Sequence, residues 1–569
     1  MKIQLIVAPA QDYSLFPPVR ERAFADPPYG ALYIASALIR QGHDVRISTC
    51  DVDHMSSADL LKVIDEFDPD IVGISAIIST SYKYVKDISA LIKLRFPKIL
   101  IVVGGGLGAA WDPLLRNSLV DVVVIGEGDS TIQEIASKNV SKKVFNNVKG
   151  IAYKDGKDPI YTGSRPLIAD MDTLPYPAFD LVDMKKYLYE VKRFLAASRH
   201  YKNPDKRFFD KHRSKHLLRV SLSRGCVNSC AFCYRITKGL RHFSFKYMFD
   251  YIEFLMDKFG VNVFSFGDEC FAAGKEWNWG FLNELHRRKL DIMFQILGMR
   301  IDTVDYDILR AYKEAGCYMI EYGIESGSQK MLDMMEKNVT LQQNIDVAIW
   351  TKKAGIYMCP NFVFGMPGEN ERTIEENVQF LKAINYGPYC YQYSYAFALP
   401  GSPLYDFGRL TGKIGDEDAY LSDIYFSDIH NHVLRSSFIN FTSEPVEKVR
   451  AWPDMVNEAL LRHYSRNNLL YLVRKYLKPD IVFHMIKIYG LGKTILLIFK
   501  RLLKRECWSV SDKHGHTTDP ISGVACNIIN QPGIGLRQVI KRLKEEERSI
   551  INRDSSVMKE EVLKTSMRL

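Results

Sequence analysis

Two successive series of short, β-rich apolar runs, each separated from the next by an amphipathic stretch, constrain this chain more than any other feature: such alternation folds as parallel sheets covered by helices. The first series runs Ile3–Val7, Val45–Ser48, Ile71–Ser75, Ile99–Val103 and Val122–Ile125. The second runs Leu218–Ser221, Val263–Phe266, Ile292–Ile296, Tyr318–Tyr322, Met358–Phe364 and Tyr391–Phe397. Between the first two runs, Gly30–Arg40 sets Leu32, Ala35 and Ile39 on one helical face, and Gly42 stands where that helix would end. A chain of 569 residues exceeds one ordinary hydrophobic core, so two or three domains are expected.

The expected architecture is α/β. It has a flavodoxin-like (Rossmann-like) domain over residues 1–145, a connector over 146–185, a partial (β/α)6 barrel over 186–435, and a mainly helical, basic region over 436–569. The connector ends in Leu174-Pro175-Tyr176-Pro177, which resists helix formation. Hydrophobic residues at 47% and charged residues at 25% suit folded domains and exclude a disordered chain or a membrane bundle. The N-terminal run has no basic stretch followed by an apolar core and cleavage site, so a cytoplasmic protein is expected. Ten cysteines are too sparse for a disulfide scaffold, and in a reducing compartment clustered cysteines read as metal ligands. The net charge of +9 is unevenly placed, with six Lys or Arg and no acid between Ile481 and Arg505. No nucleic acid is expected as a partner, because neither a wide basic footprint nor a reading module is present.

Directly after the first run of the second series comes Ser223-Arg224-Gly225-Cys226-Val227-Asn228-Ser229-Cys230-Ala231-Phe232-Cys233-Tyr234. Three thiolates at this spacing on a loop can hold three irons of a [4Fe-4S] cube and leave the fourth iron open. Structural zinc would need a further Cys or His in a paired spacing, and His242, the first to follow, stands alone. The remaining cysteines, Cys317 and Cys359 among them, sit singly and read as core. Open α/β sheets bind ligands at the carboxyl ends of their strands. There the first series carries Ser75 to Ser79, Gly104-Gly105-Gly106-Leu107-Gly108 and Gly126-Glu127-Gly128. Glycines at such places let a backbone approach a flat or phosphate-bearing ligand. Gly104-x-Gly106-x-x-Ala109 mimics a dinucleotide fingerprint, but that fingerprint belongs after a first strand and this one follows a fourth. Gly490-Leu491-Gly492-Lys493-Thr494 ends like a phosphate loop, yet the glycine it requires is Lys487.

The spacing of Cys226, Cys230 and Cys233, with Phe232 before the last, resembles the radical S-adenosylmethionine (SAM) superfamily. The resemblance implies that the three cysteines hold the cluster and that SAM chelates the open iron through its amino and carboxylate groups. Electron transfer from the cluster then cleaves SAM to a 5′-deoxyadenosyl radical. It further implies SAM contacts at Gly267, Asp268 and Glu269, which stand in the place of the family's Gly-Gly-Glu with Asp268 as the departure. Others are implied at Arg300, at Glu325 of Gly323-Ile324-Glu325-Ser326-Gly327, and at Gly365 of Gly365-Met366-Pro367-Gly368-Glu369, near where adenine would rest.

A flavodoxin-like domain followed by this barrel resembles the cobalamin-binding radical SAM subfamily of cobalamin-dependent methylases and magnesium-protoporphyrin ester cyclase-like enzymes. The segments that carry the resemblance are Pro27 to Ala35, Gly104 to Gly106, Asp121 to Glu127 and Leu174 to Pro177, and it covers roughly residues 1–430. It implies cobalamin against Tyr29, Gly30, Ser75, Ser79, Gly104, Gly105, Gly106, Gly126, Glu127 and Gly128. The Asp-x-His-x-x-Gly signature of other cobalamin proteins is absent: Asp210-Lys211-His212, Asp428-Ile429-His430 and Asp512-Lys513-His514 each lack the glycine. No histidine is therefore expected beneath the cobalt. A remnant domain without its cofactor would read the same way.

The expected reaction is removal of hydrogen from an unactivated carbon by the deoxyadenosyl radical, followed by methyl transfer from methylcobalamin. The implied partners are a small-molecule or lipid-like substrate and a reducing electron donor such as flavodoxin or ferredoxin. The same cofactors support oxidative cyclisation or rearrangement. A non-catalytic cobalamin or SAM sensor is a third reading, against which the intact cysteine motif speaks. Beyond Ser436, Thr494 to Arg505 interleaves apolar and basic residues. A membrane span needs about 20 apolar residues, and Ile481 to Phe499 is interrupted by His484, Lys487 and Lys493. Such a basic helix can lie on an anionic membrane surface or pack over the barrel mouth.

Overall fold

The structure, a computed structural model, describes residues 1–9, 25–137, 142–156, 158–191, 211, 215–424, 438–467 and 528–546. The first sheet holds the parallel strands β1 (Lys2–Val7), β2 (Asp44–Thr49), β3 (Ile71–Ser75), β4 (Leu100–Gly104) and β5 (Val122–Val124), in the order β2-β1-β3-β4-β5. Their apolar runs are continuous because helices cover both faces. These are α1 (Tyr29–Arg40), α2 (Ser57–Phe67), α3 (Tyr82–Arg95), α4 (Trp111–Asn117) and α5 (Asp129–Ser137). Helix α1 buries Leu32, Ala35 and Leu38, whereas Ile39 is 44% exposed; at 3.6 residues per turn Leu38, and not Ile39, lines up with Ala31 and Ala35.

Two antiparallel strands, β6 (Ile151–Asp155) and β7 (Asp158–Tyr161), extend this sheet beyond β5. They lie inside the stretch read as a connector. Asp155-Gly156 between them is a hairpin-turn signal that the connector reading passed over.

The second sheet contains β8 (Tyr189–Glu190), β9 (His216–Val220), β12 (Val261–Gly267), β13 (Met293–Met299), β14 (Cys317–Glu325), β15 (Tyr357–Phe364) and β16 (Gln392–Tyr395). A small ladder of β10 (Ser223–Arg224) and β11 (Arg241–His242) brackets the cysteine loop. The sheet order is β16-β15-β14-β13-β12-β9-β8, with β9 and β12–β16 parallel and β8 antiparallel at the edge, so the barrel is open. Its outer layer is formed by α6 (Phe245–Phe259), α7 (Lys275–Arg288), α8 (Tyr306–Glu314), α9 (Gln329–Met334), α10 (Leu341–Lys353) and α11 (Glu371–Ala383). Phe264, Phe266, Phe294, Phe362 and Phe364 share one buried cluster with α6, α7, α8, α10 and α11. On the inner side, Leu217, Val263, Met293, Met319 and Cys359 close the end at which the strands begin. Chemistry is thereby confined to the ends at which they finish.

After β16 come α12 (Pro403–Leu410), α13 (Glu417–Asp423) and α14 (Val446–Asn467), and a further helix spans 536–546. The two sheets do not stand apart. Leu32 and Tyr33 of α1 belong to the barrel's core, while Phe397, Leu421 and Ile424 belong to the core of the first domain. Asp418 of α13 accepts a hydrogen bond from Tyr82 at 2.7 Å and pairs with Lys86 at 2.7 Å. Among the described residues no helix is long and apolar enough to cross a membrane. The basic stretch from Ile481 to Arg505 and the Gly490–Thr494 segment lie outside the described residues.

Candidate functional site

The cysteine loop leaves the barrel at the end of β9, and its start is pinned from β12. Asp268 accepts the Leu222 N–H at 2.8 Å and the Ser223 hydroxyl at 2.6 Å, and burial pushes its carboxyl up to about 7. Asp268 was expected against SAM; it is instead turned into the protein, where it fixes the strand-to-loop turn. Gly267 likewise yields to a protein group, since a Cβ there would lie 2.7 Å from Arg219 Cδ. Glu269 is the member of this trio left exposed, close enough to Cys233 and Arg235 for charge to act between them.

Cys230 is buried, Cys226 half-buried and Cys233 exposed. The Asn228 N–H donates to Cys226 Sγ at 3.4 Å. A hydrogen bond from Cys270, assisted by the charges of Arg235 and Lys337, pushes the Cys226 thiol down to about 6 against the effect of burial. Cys270 falls among the cysteines read as core. It is buried, yet it also works on the cluster loop.

Lys337 was not singled out in the sequence. Its ammonium pairs with Glu325 at 2.9 Å, both side chains are 11% exposed, and its charge acts on Cys230 and Cys233. A buried cation beside three thiols is what a thiolate ligand set requires, so these residues fit a cluster. Glu325, expected against SAM, has its carboxylate engaged by Lys337. Arg300 is within electrostatic reach of Cys226, but its guanidinium is paired with Asp302, with Nε at 2.9 Å. Gly365 donates its N–H to Glu369 Oε2 at 2.5 Å, which shapes the loop after β15. Phe232 is half-buried against the cluster that contains Ala231, Met331, Met334 and Met335.

In the first domain, Ser75 and Gly104 end neighbouring strands at the rim. Gly105 has φ +93° and a Cβ there would stand 2.4 Å from the Ala76 carbonyl; at Gly106 it would stand 2.2 Å from that of Ile77. These glycines therefore admit the adjacent loop, a packing reason for glycine at both positions that the sequence did not show. That loop holds Ile77 60% exposed. Gly30 and Gly126 have open space where a Cβ would be, Gly128 faces Ile34, and Ser79 is buried in a short turn. Tyr29 and Glu127 are committed elsewhere. The Tyr29 hydroxyl donates to the Arg219 carbonyl, and Glu127 accepts from both terminal nitrogens of Arg241 at 2.9 and 3.0 Å and from the Ile168 N–H at 2.9 Å. Gly30 and Gly126, with open space at the Cβ position, and Ser75 and Gly104, half-buried at the strand ends, leave room on this rim for a broad ring. The rim also meets the cysteine loop: a Cβ on Gly401 would lie 2.6 Å from the Tyr234 ring and 3.2 Å from Ala109 Cβ.

Comparison with known proteins agrees with both halves. The B12 binding domain family matches residues 19–136 and the Radical SAM superfamily matches residues 220–381. An uncharacterized methyltransferase of Pyrococcus horikoshii is 29% identical, covering 85% of this chain and 94% of its own. The anaerobic magnesium-protoporphyrin IX monomethyl ester cyclase of Cereibacter sphaeroides is 26% identical over 69% of this chain, which spans 62% of that protein. The radical SAM methyltransferase TsrM of Kitasatospora setae, solved with cobalamin and a [4Fe-4S] cluster bound, shares the fold with a TM-score of 0.54 at 16% identity, over 72% of this chain and 75% of its own. The chain thus carries a B12 binding domain followed by a Radical SAM domain, the pairing of an enzyme that works with cobalamin, SAM and a [4Fe-4S] cluster.

Proposed function

We propose that this enzyme is a cobalamin-dependent methyltransferase acting on an unactivated carbon. In this reading Cys226, Cys230 and Cys233 hold the cluster, Glu269 and the Gly365 loop receive SAM, and cobalamin covers the rim at Gly30, Ser75, Gly104 and Gly126. The observation that carries it is the close approach of both Ala109, on the rim of the first domain, and Tyr234, on the cysteine loop, to Gly401. A methyl group and a substrate radical must meet, and only adjacent sites allow it. Bound there, the cluster supplies the electron that cleaves SAM to the deoxyadenosyl radical, and cobalamin supplies the methyl group.

The chain's own residues prepare the site. The Glu269 carboxylate is an acceptor for the SAM ammonium. Lys337 offsets the negative charge of the thiolates. The apolar floor formed by Leu217, Val263 and Met293 keeps water from entering behind the substrate. Methyl transfer is favoured over ring formation by the relative with 94% of its length covered, which is named a methyltransferase. A reducing electron donor and a small-molecule substrate complete the proposal.

The test is anaerobic reconstitution of the full chain with iron, sulfide and cobalamin, followed by reduction in the presence of SAM. Formation of 5′-deoxyadenosine is expected, and its loss in Cys230→Ala. With methyl-deuterated SAM and a small-molecule extract of the source cells, label should enter one product. A product lighter by two hydrogens and without label would replace methyl transfer by cyclisation. Absence of deoxyadenosine would sink the enzyme reading itself.

A further inference from the structure

Residues 528–546 return from the far end of the chain to the cysteine loop. Ile528, Ile529, Ile534, Leu536, Val539 and Ile540 are buried in one cluster with Ala231, Met331 and Met335, so the segment is packed and not draped. Its approach is close. A Cβ on Gly368 would lie 2.7 Å from Ile529 Cγ2, and Lys330 donates both to the Gly368 carbonyl at 2.9 Å and to Asn530 Oδ1 at 3.2 Å.

From this segment Arg537 reaches the loop itself. Its Nη1 donates to the Ser229 carbonyl at 2.5 Å, between the first two cysteines, and pairs with Glu336. Glu336 is held a second time by the Arg537 N–H at 2.7 Å, and it immediately precedes Lys337. Arg235 does the same from within the loop, with Nη1 donating to the carbonyls of Cys226, at 3.4 Å, and Asn228. Three carbonyls of the cysteine loop are thus drawn to guanidinium groups. The Asn228 N–H, correspondingly, points to Cys226 Sγ. N–H groups directed at sulfur and nearby positive charge both favour the reduced, more negative cluster and raise its potential.

We infer that Arg537 is a positioning residue of the cluster loop: it holds the Ser229 carbonyl outward, so the C-terminal segment is a working part of the radical SAM site. Arg537 is 40% exposed, so its hydrogen bond does more than its solvent-screened charge. The inference rests on the assignment of the cluster to Cys226, Cys230 and Cys233.

The test uses the full chain, reconstituted anaerobically, as wild type, Arg537→Met and Arg537→Lys, with no SAM present. Three quantities are read: iron and sulfide content, the cluster's midpoint potential by redox titration followed by electron paramagnetic resonance, and the rate of iron loss to a chelator. Arg537→Met should bind a cluster, show a lower midpoint potential and lose iron several-fold faster; Arg537→Lys should recover part of both. A variant with a lower melting temperature but wild-type potential and wild-type iron loss overturns the inference and leaves the segment a structural prop. If Arg537→Met does not fold, Glu336→Gln removes the anchor of the guanidinium and carries the same expectation and the same refutation. A wild-type chain that takes up no cluster at all overturns the cysteine assignment, and this inference with it.

Discussion

Glu369 shows how one residue couples the loop after β15 to pH. Its Oε2 accepts the Gly365 N–H, its Oε1 has no hydrogen-bond partner among the described residues, and burial pushes the carboxyl up to about 8. An acid whose folded value lies above its ordinary 4.5 keeps its proton in the fold after the unfolded chain has lost it. Its stabilising share is therefore complete below pH 4.5 and is lost progressively as pH rises to about 8. Glu369→Gln should flatten that decline without lowering stability at the acid end, as read from urea midpoints measured across the window. A variant that loses stability as steeply as wild type would show that the carboxyl is ionised in the fold. Asp268, raised to about 7 by burial, acts in the same direction and accounts for what remains of the slope.

At the scale of elements, the rim loops separate glycines that serve packing from those that leave room. Gly105→Ala puts a methyl group 2.4 Å from the Ala76 carbonyl at φ +93°, and should destabilise the first domain by more than about 1 kcal/mol. Gly30→Leu faces open space at the start of α1, where leucine is the better helix former, so stability should hold or rise. The same side chain would intrude on the rim, and corrinoid binding, followed by its visible absorbance, should fall at least tenfold. Unchanged binding in Gly30→Leu would move cobalamin off this rim. The distinction was not legible in the sequence, where both glycines looked alike beside strand ends. The strands themselves were legible, because runs covered on both faces by helices must be apolar throughout. Cys226, Cys230 and Cys233 were legible because their spacing is local. Lys337, Cys270 and Arg537 were not, since each reaches the site through a fold contact, Arg537 from more than 300 residues away in the chain. Tyr29 and Glu127 misled for the complementary reason: they sit in rim motifs, but their side chains cross to the barrel.

Across the whole molecule, that crossing is a lattice of charges which ties the first domain to the cysteine loop. Arg224 stands two residues before Cys226, donates to Asp129 at 2.7 and 3.1 Å, reaches Glu127 at 3.3 Å and lies 5.2 Å above the Tyr33 ring. Arg241, paired with Arg224 across β10 and β11, completes it through Glu127. The Asp129 side chain is only 6% exposed, so removing its partner leaves a buried charge unanswered. Arg224→Met should therefore cost about 3–5 kcal/mol. Arg224→Met/Asp129→Leu should recover most of it, because the stranded carboxylate goes too. The pair spans both domains, so wild type is expected to unfold in one calorimetric transition and the single variant in two, with the first domain melting earlier. A loss below about 1 kcal/mol, no more than an exposed pair is worth, with one transition retained would assign the coupling to the apolar contacts of Leu32, Tyr33 and Leu421. If the lattice does carry it, cobalamin retention should fall in Arg224→Met and return in the double variant, because the rim and the cluster loop are held in register by the same four side chains.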